Sequence, residues 1–243
     1  MKTFGLLGKN IEYSFSRNFF NKKFESENID AIYKNFDIQS VSDFPDILKQ
    51  NPSLSGLNVT IPYKETIMAF LDEIDEIAKK IGAVNTIKIT DSGKLIGFNT
   101  DFFGFSEALK IHLKPNHKKA LILGTGGASK AIAFALKELG IDYTYVSRRK
   151  HKNNLIYAEI NKEILQDNLL IINCTPLGTF PNIEEFPSIP TQFFNKKHLV
   201  FDLIYNPPHT KLLKLALVQG AEITNGLHML ELQAEKAWEI WNN

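Results

Sequence analysis

Gly56-Leu-Asn-Val-Thr-Ile-Pro-Tyr-Lys64 is the stretch from which the rest of the chain is read. Val59 and Ile61 alternate with Asn58 and Thr60, so a strand here has one apolar face and one face carrying an amide and a hydroxyl. Pro62 cannot donate to a ladder, which stops the strand and leaves Tyr63 and Lys64 at or past its end. Strand ends of α/β proteins are where ligands are usually held. The competing reading is a solvated lysine that opens the next helix, the common fate of the residue. The flanking sequence decides between the two.

The bulk properties narrow the field. At 243 residues the chain can hold one large domain or two modest ones, and 44% hydrophobic against 23% charged residues leaves enough apolar material for real cores. The net charge of +1 offers no global field for nucleic acid or membrane. Cys174 is the single cysteine, which excludes a disulfide framework and a cysteine-built zinc site within one chain. No metal site is expected. The first residues are too short an apolar run for a signal peptide, and no stretch reaches the roughly 18 apolar residues of a membrane span. A cytoplasmic protein, monomeric or homodimeric, that acts on a small molecule is expected.

Outward from the opening stretch, helices and strands alternate, the signature of an α/β fold. Strands are expected at Thr3–Leu7, Ala31–Phe36, Gly56–Lys64, and across a hairpin at Ala83–Ile89 and Lys94–Phe98. Helices are expected from Ser14 (with Ser16 as N-cap), at Asp43–Gln50, and as two runs at Glu65–Leu71 and Glu73–Ile81. After a helix at Asp101–Leu113, the polar break Pro115–Lys119 introduces a second α/β series. It ends in a helix over Gly226–Trp241.

Leu121-Ile-Leu-Gly-Thr-Gly-Gly-Ala-Ser-Lys130 follows a strand and opens a helix, the context a dinucleotide loop needs. Gly124 permits the tight turn and Gly126 lets the backbone approach a pyrophosphate at the helix N-terminus. Ser129 stands where a third glycine is usual. The next strand ends in Val146-Ser-Arg-Arg-Lys-His-Lys152, with four Lys/Arg in five residues and no carboxylate. Arg148 and Arg149 suit a 2′-phosphate, since guanidinium matches its oxygens bidentately, so the expected cofactor is NADP. In the first hundred residues Asn58, Thr60, Lys64, Asn85 and Asn99-Thr-Asp101 all fall at strand ends. Each asparagine alone reads as a turn former, and Asp101 alone as a helix cap. Together they give a cation and a carboxylate beside an uncharged polar pocket, a pair able to exchange a proton with a substrate oxygen.

The chain resembles the shikimate dehydrogenase family. The likeness is carried by Ser14-Phe-Ser16, Gly56–Lys64, Gly82-Ala-Val-Asn-Thr86, Gly97-Phe-Asn-Thr-Asp101, Gly124–Ala128, Asn173-Cys-Thr-Pro-Leu-Gly178, Asp202-Leu-Ile-Tyr-Asn-Pro207 and Gly226-Leu-His-Met-Leu-Glu-Leu-Gln233, in family order. The resemblance implies an N-terminal α/β substrate domain (1–100 with 226–243) and a Rossmann-like, doubly wound NADP-binding domain (101–225), with a cleft between them. It implies NADPH-dependent, reversible reduction of 3-dehydroshikimate to shikimate, with Lys64 and Asp101 as the catalytic pair. Ser14 and Ser16 would bind the substrate carboxylate, with Tyr205 nearby. Thr60, Asn85, Asp101 and Gln233 would hold the ring hydroxyls. Gly124, Thr125, Gly126, Gly127 and Ala128 would cradle the pyrophosphate, and Ser147, Arg148 and Arg149 the adenosine phosphate. Gly226 and Met229 would lie near the nicotinamide. Three departures are expected to matter: shortened segments at 150–167 and 174–190, and Ser147 where many relatives carry Asn. An NAD-using quinate/shikimate dehydrogenase and a non-catalytic nucleotide sensor on the same scaffold are the alternatives.

Overall fold

The computed structural model describes residues 1–12, 14–151 and 153–243. The chain forms two compact units, one of Met1–Thr100 with Ala234–Asn243 and one of Asp101–Gln233. Both are α/β, as expected.

The first unit runs β1 (Lys2–Gly8), α1 (Phe15–Ser26), β2 (Ala31–Asp37), α2 (Phe44–Gln50), β3 (Leu54–Val59), β4 (Glu73–Ile74), α3 (Glu76–Ile81), β5 (Thr86–Ile89) and β6 (Leu95–Phe98). Its six-stranded sheet has the order β2-β1-β3-β5-β6-β4. The first three strands are mutually parallel, and β3, β5 and β6 alternate in direction. Alternation along the strands divides two cores. Phe4, Leu6 and Tyr33 join Phe20, Phe24, Ala234, Ala237 and Trp241 on one face. Leu7, Phe36, Leu57 and Val59 pack with Phe44, Ile67 and Ile87 on the other. Trp241 is pinned by its indole N–H, which donates to the Ile87 carbonyl at 3.0 Å. It fits because Gly56 opposite has no Cβ; one there would lie 2.4 Å from the indole nitrogen.

Four expectations need correction. The N-cap of α1 is Ser14, whose hydroxyl accepts the Arg17 N–H at 3.2 Å, while Ser16 lies buried inside the first turn. The strand of the opening stretch ends at Val59, not at Pro62. Thr60 N–H still bonds Leu7 O at 2.9 Å, but Tyr63 N–H then closes a turn onto Thr60 O, and Ile61 is exposed instead of continuing the apolar face. Glu65–Leu71 forms a 3-10 turn at Thr66–Phe70. Glu73–Ile81 is not one helix: Asp75 caps α3 through Ile77 N–H, and its own N–H donates to Gly97 O, which draws Glu73–Ile74 onto the sheet beside β6.

The second unit runs α4 (Asp101–Lys110), β7 (Lys119–Leu123), α5 (Gly127–Glu138), β8 (Asp142–Ser147), β9 (Asn154–Ile156), α6 (Lys162–Asp167), β10 (Leu170–Asn173), β11 (Leu199–Asp202), α7 (Lys211–Val218), β12 (Glu222–Thr224) and α8 (Leu227–Asn242), which belongs to the first unit from Ala234 onward. Its sheet is wholly parallel, in the order β12-β11-β10-β7-β8-β9. This is the doubly wound order, with its switch point between β7 and β10. Residues buried to 0% fill β7, β10 and β11, the near-continuous apolar runs of strands covered on both faces. Parallel neighbours normally need a crossover of a dozen or more residues, yet β8 and β9 are joined by residues 148–153 alone, with no helix among the described ones. The shortened segment has cost the fold that helix, as its length implies.

Candidate active site

In the first unit Asn58 of the opening stretch lies within a chain of side-chain hydrogen bonds. Asn58 and Thr86 face each other across β3 and β5. The Thr100 N–H donates to Asn85 Oδ1 at 2.7 Å, and the Thr86 hydroxyl donates to the same oxygen at 3.1 Å. Asn58 Nδ2 reaches Thr86 Oγ1 at 3.3 Å, and Asn58 Oδ1 accepts the Tyr33 phenol at 2.7 Å. Ser14, Ser16, Asn58, Asn85, Thr86 and Thr100 are all buried. Buried polar groups are tolerated only when paired, so the network has one shape. Lys64 is half-buried, and its main-chain carbonyl accepts the Val84 N–H at 2.7 Å. Next to it, the Tyr63 phenol anchors on Ile38 O at 2.7 Å, which fixes the turn that presents Lys64. Thr60 rests against Gly8, where a Cβ would come within 2.5 Å of its methyl.

In the second unit Asp101 is a buried residue that opens α4, and Gln233 is buried on α8. The two helices meet at Gly104, where a Cβ would lie 2.5 Å from Met229 O and 3.0 Å from Gln233 Cβ. The sequence therefore brings Asp101 and Gln233 onto adjoining helices. Gln233 Nε2 donates to Leu230 O at 2.8 Å, and Met229 is part of the unit's core. Lys64 belongs to the first unit and Asp101 to the second.

The glycine loop sits at the switch point. Gly124, at φ +102°, bonds Val146 O through its N–H and backs onto Thr175 and Cys174, the residues after β10. Gly126 begins α5 without a side-chain cap, and a Cβ at Gly126 or Gly127 meets no atom within 4 Å. Open space over uncapped helix N–H groups fits a pyrophosphate. Ser129 is buried and turns its hydroxyl onto Gly126 O at 2.7 Å, which accounts for a serine in place of the third glycine. Thr125 and Ala128 flank these positions.

After β8 the basic turn is tied by Asn154. Its Nδ2 donates to Ser147 Oγ at 2.5 Å and to Arg149 O at 3.0 Å, and its Oδ1 accepts the His151 N–H. The Ser147 hydroxyl itself donates to Arg149 O at 2.6 Å, so Ser147 shapes the turn that exposes Arg148 and Arg149. Lys150 is paired with Glu159, a carboxylate the linear sequence did not place here. Its partner lysine holds the Glu159 carboxyl below the usual range. Lys152, the last cation of the stretch, lies outside the described residues.

Asp202, fully buried at the end of β11, accepts from Asn173 Nδ2, Ile204 N–H and the Thr210 hydroxyl at 2.7–3.1 Å. Burial pushes its carboxyl up to about 6, against the pull of those donors. It ties the loop after β10, through Asn173 and Thr175, to the segment bearing half-buried Tyr205. Burial also raises the Tyr205 phenol and the Cys174 thiol, and Cys174 packs, partly buried, against the core of the second unit. Gly226 admits the backbone of Leu203, whose oxygen would lie 2.0 Å from a Cβ. Tyr33, Asn154 and Asp202 carry no role in the sequence reading. Each looks like an ordinary strand residue until the strands are placed side by side.

Comparison with known proteins gives one consistent result. The family model described as the shikimate dehydrogenase substrate binding domain matches residues 6–87. A shikimate dehydrogenase (NADP(+)) of Clostridium botulinum is 42% identical over 99% of this chain and 96% of its own length. The crystal structure of shikimate 5-dehydrogenase from Thermus thermophilus in complex with NADP(H) and shikimate is 32% identical with a TM-score of 0.87, covering 99% and 93% of the two chains. Quinate dehydrogenase from Corynebacterium glutamicum in complex with NAD is 25% identical with a TM-score of 0.88, over 99% and 93%. No helix among the described residues is long and apolar enough to cross a membrane.

Proposed function

The chain belongs to the shikimate dehydrogenase family, and on that footing we propose that it catalyses the reversible, NADPH-dependent reduction of 3-dehydroshikimate to shikimate in the biosynthesis of chorismate and the aromatic amino acids. One observation carries the reading: the likeness to an NADP(+) shikimate dehydrogenase extends over 99% of the chain.

NADPH, when bound, supplies the hydride to the ketone carbon. The glycine loop Gly124–Ala128 would hold its pyrophosphate on the uncapped start of α5. Arg148 and Arg149, neither of which forms an ion pair among the described residues, would take the 2′-phosphate. Gly226 and Met229 would border the nicotinamide. As the carbonyl electrons move onto oxygen, the Lys64 ammonium would donate the proton, and Asp101 would orient Lys64 and accept from a neighbouring ring hydroxyl. Ser14 and Ser16, with Tyr205, would hold the carboxylate; Thr60, Asn85 and Gln233 would hold ring oxygens. The likeness to quinate dehydrogenase favours a second substrate reading, quinate in place of shikimate. The exposed arginine pair at the end of β8 supports NADP with either substrate. We place the enzyme in the cytoplasm as a monomer or homodimer, which light scattering of the purified protein checks. Reduction of NADP⁺ with shikimate, quinate or neither tests the assignment.

A further inference from the structure

The stretch after β8 carries no carboxylate, which favours NADP, yet the fold brings one back to the same place. Residues 148–153 turn directly into β9, and the parallel register sets Ile156 opposite Ser147, the last residue of β8. Glu159 then folds back onto the strand it follows: its Oε2 accepts the Ile156 N–H at 2.9 Å. One strand spacing of about 4.8 Å and one hydrogen bond therefore put the carboxylate within about 8 Å of the Ser147 backbone. The end of the second strand of a dinucleotide unit is where an acidic residue meets the ribose in NAD enzymes and an arginine meets the 2′-phosphate in NADP enzymes. A screening length of about 8 Å at physiological salt leaves a bare carboxylate at that distance able to repel a phosphate dianion.

Lys150 meets this charge. Its Nζ donates to both oxygens of Glu159, at 2.8 Å to Oε1 and 2.6 Å to Oε2. The basic turn is thereby divided. Arg148 and Arg149 form no ion pair among the described residues, while the lysine that follows them is turned onto the carboxylate. Both partners are more than a third exposed, at 54% and 39%, so the pair adds little to stability. Its consequence lies in the sign of the local field. Glu159 does not depend on the lysine for its place, because the Ile156 main chain also holds it. Removing Lys150 leaves the negative charge at the strand end, and a carboxylate of ordinary pKa is still ionised at pH 7.

We propose that Glu159 and Lys150 form a specificity-determining pair for the cofactor, in which Lys150 neutralises the carboxylate that would otherwise oppose the 2′-phosphate at Arg148 and Arg149. Lys150 acts through Glu159 and not as a third ligand of the phosphate. The inference rests on the NADP-dependent dehydrogenase reading for the identity of the ligand, and on the strand register and hydrogen bonds for the placement of the charges.

The test measures the Kd of NADP⁺ and of NAD⁺ by isothermal titration calorimetry for wild type, Lys150→Ala, Glu159→Gln and the double variant Lys150→Ala/Glu159→Gln. At about 0.01 M ionic strength Lys150→Ala should weaken NADP⁺ binding about fivefold, the repulsion between one charge and a dianion across about 8 Å of water. At about 1 M salt, where the screening length is about 3 Å, that difference should vanish. Glu159→Gln keeps an oxygen for the Ile156 N–H and should bind NADP⁺ at least as tightly as wild type. The double variant should return to the wild-type Kd, since the charge that Lys150 offsets is gone. NAD⁺ lacks the 2′-phosphate, so its Kd should stay near the wild-type value throughout. A raised NADP⁺ Kd that persists in the double variant makes Lys150 a direct phosphate ligand and overturns the proposal. An unchanged NADP⁺ Kd in Lys150→Ala, or an equal rise for NAD⁺, overturns it as well, as does a wild type that binds NADP⁺ no more tightly than NAD⁺. Wild-type protein that prefers NADP⁺ but turns over no shikimate overturns the functional reading instead, and the same affinities still decide the pair.

Discussion

Asn154 is the residue whose removal should separate the cofactor phosphate from everything else the enzyme does. Its amide makes contacts with Ser147 Oγ, Arg149 O, Leu155 O and the His151 N–H at 2.5–3.2 Å, and the side chain is buried. Two amide protons shared among three acceptors, plus one accepted bond, amount to about three effective hydrogen bonds. At roughly 1 kcal/mol net each, Asn154→Ala removes about 2–3 kcal/mol from the turn that presents Arg148 and Arg149. That loss shifts the balance between the formed and open turn by about 30–150-fold, and apparent affinity falls with the fraction still formed. The KM for NADP⁺ should therefore rise about tenfold or more. The KM for shikimate and the kcat at saturating cofactor should stay within about twofold. NAD⁺ has no 2′-phosphate for the arginines to meet, so its KM should be nearly unmoved. Initial rates with each cofactor, with circular dichroism to confirm the fold, measure all of this. A parallel rise for NAD⁺ and NADP⁺, or no rise for NADP⁺ in a folded variant, refutes the reasoning.

Lys64→Ala should lower kcat by about 10²–10⁴-fold with far less effect on substrate affinity, and a near-wild-type kcat removes Lys64 from its role. His117 and His198 are buried, with Nδ1 accepting from Lys114 and Asn195 N–H and Nε2 facing Lys197 and Leu165 carbonyls; burial lowers both below their ordinary value. The unfolded chain then binds protons the fold refuses, so stability present above about pH 6.5 is lost as the pH falls below it. Urea titrations from pH 7 to 5 should show that loss, with His117→Gln and His198→Gln each reducing the slope; unchanged slopes contradict it. Asp202 has the opposite sign: the fold keeps its carboxyl protonated over about pH 4–6 while the unfolded chain has released it, so its contribution is lost as the pH rises through about 6. Asp202→Asn should remove that dependence and remain folded at pH 7. Asp202→Ala, which strands three buried donors, should cost about 2–4 kcal/mol by thermal or urea unfolding.

Much of this was legible in the linear sequence because it rests on short-range patterns. The glycine loop announces itself by its strand before and helix after, and the hairpin by Asp91-Ser-Gly93, where Gly93 adopts φ +81°. Asn58 was singled out by its alternation with Val59, and the lost helix by simple shortage of residues between Arg149 and Asp167. The remainder depends on which strands lie side by side. Tyr33 reads as an ordinary residue of β2 until β1 and β3 are stacked beside it. Ser14 and Ser16 are equally good caps by type; the Arg17 N–H bonds Ser14, and the helix starts one residue later. Glu73–Ile74 has helical spacing, but the free edge of β6 captures it. Glu159 meets Lys150 only because the chain turns back without a helix.

The central claim is a Lys64-dependent shikimate:NADP⁺ oxidoreductase. It is tested most directly by following NADPH formation at 340 nm with purified protein, NADP⁺ and either shikimate or quinate, for wild type and Lys64→Ala side by side. The account predicts turnover with shikimate, a clear preference over quinate and for NADP⁺ over NAD⁺, and near-abolition in the variant. Absence of turnover with both substrates, or full activity in Lys64→Ala, contradicts it.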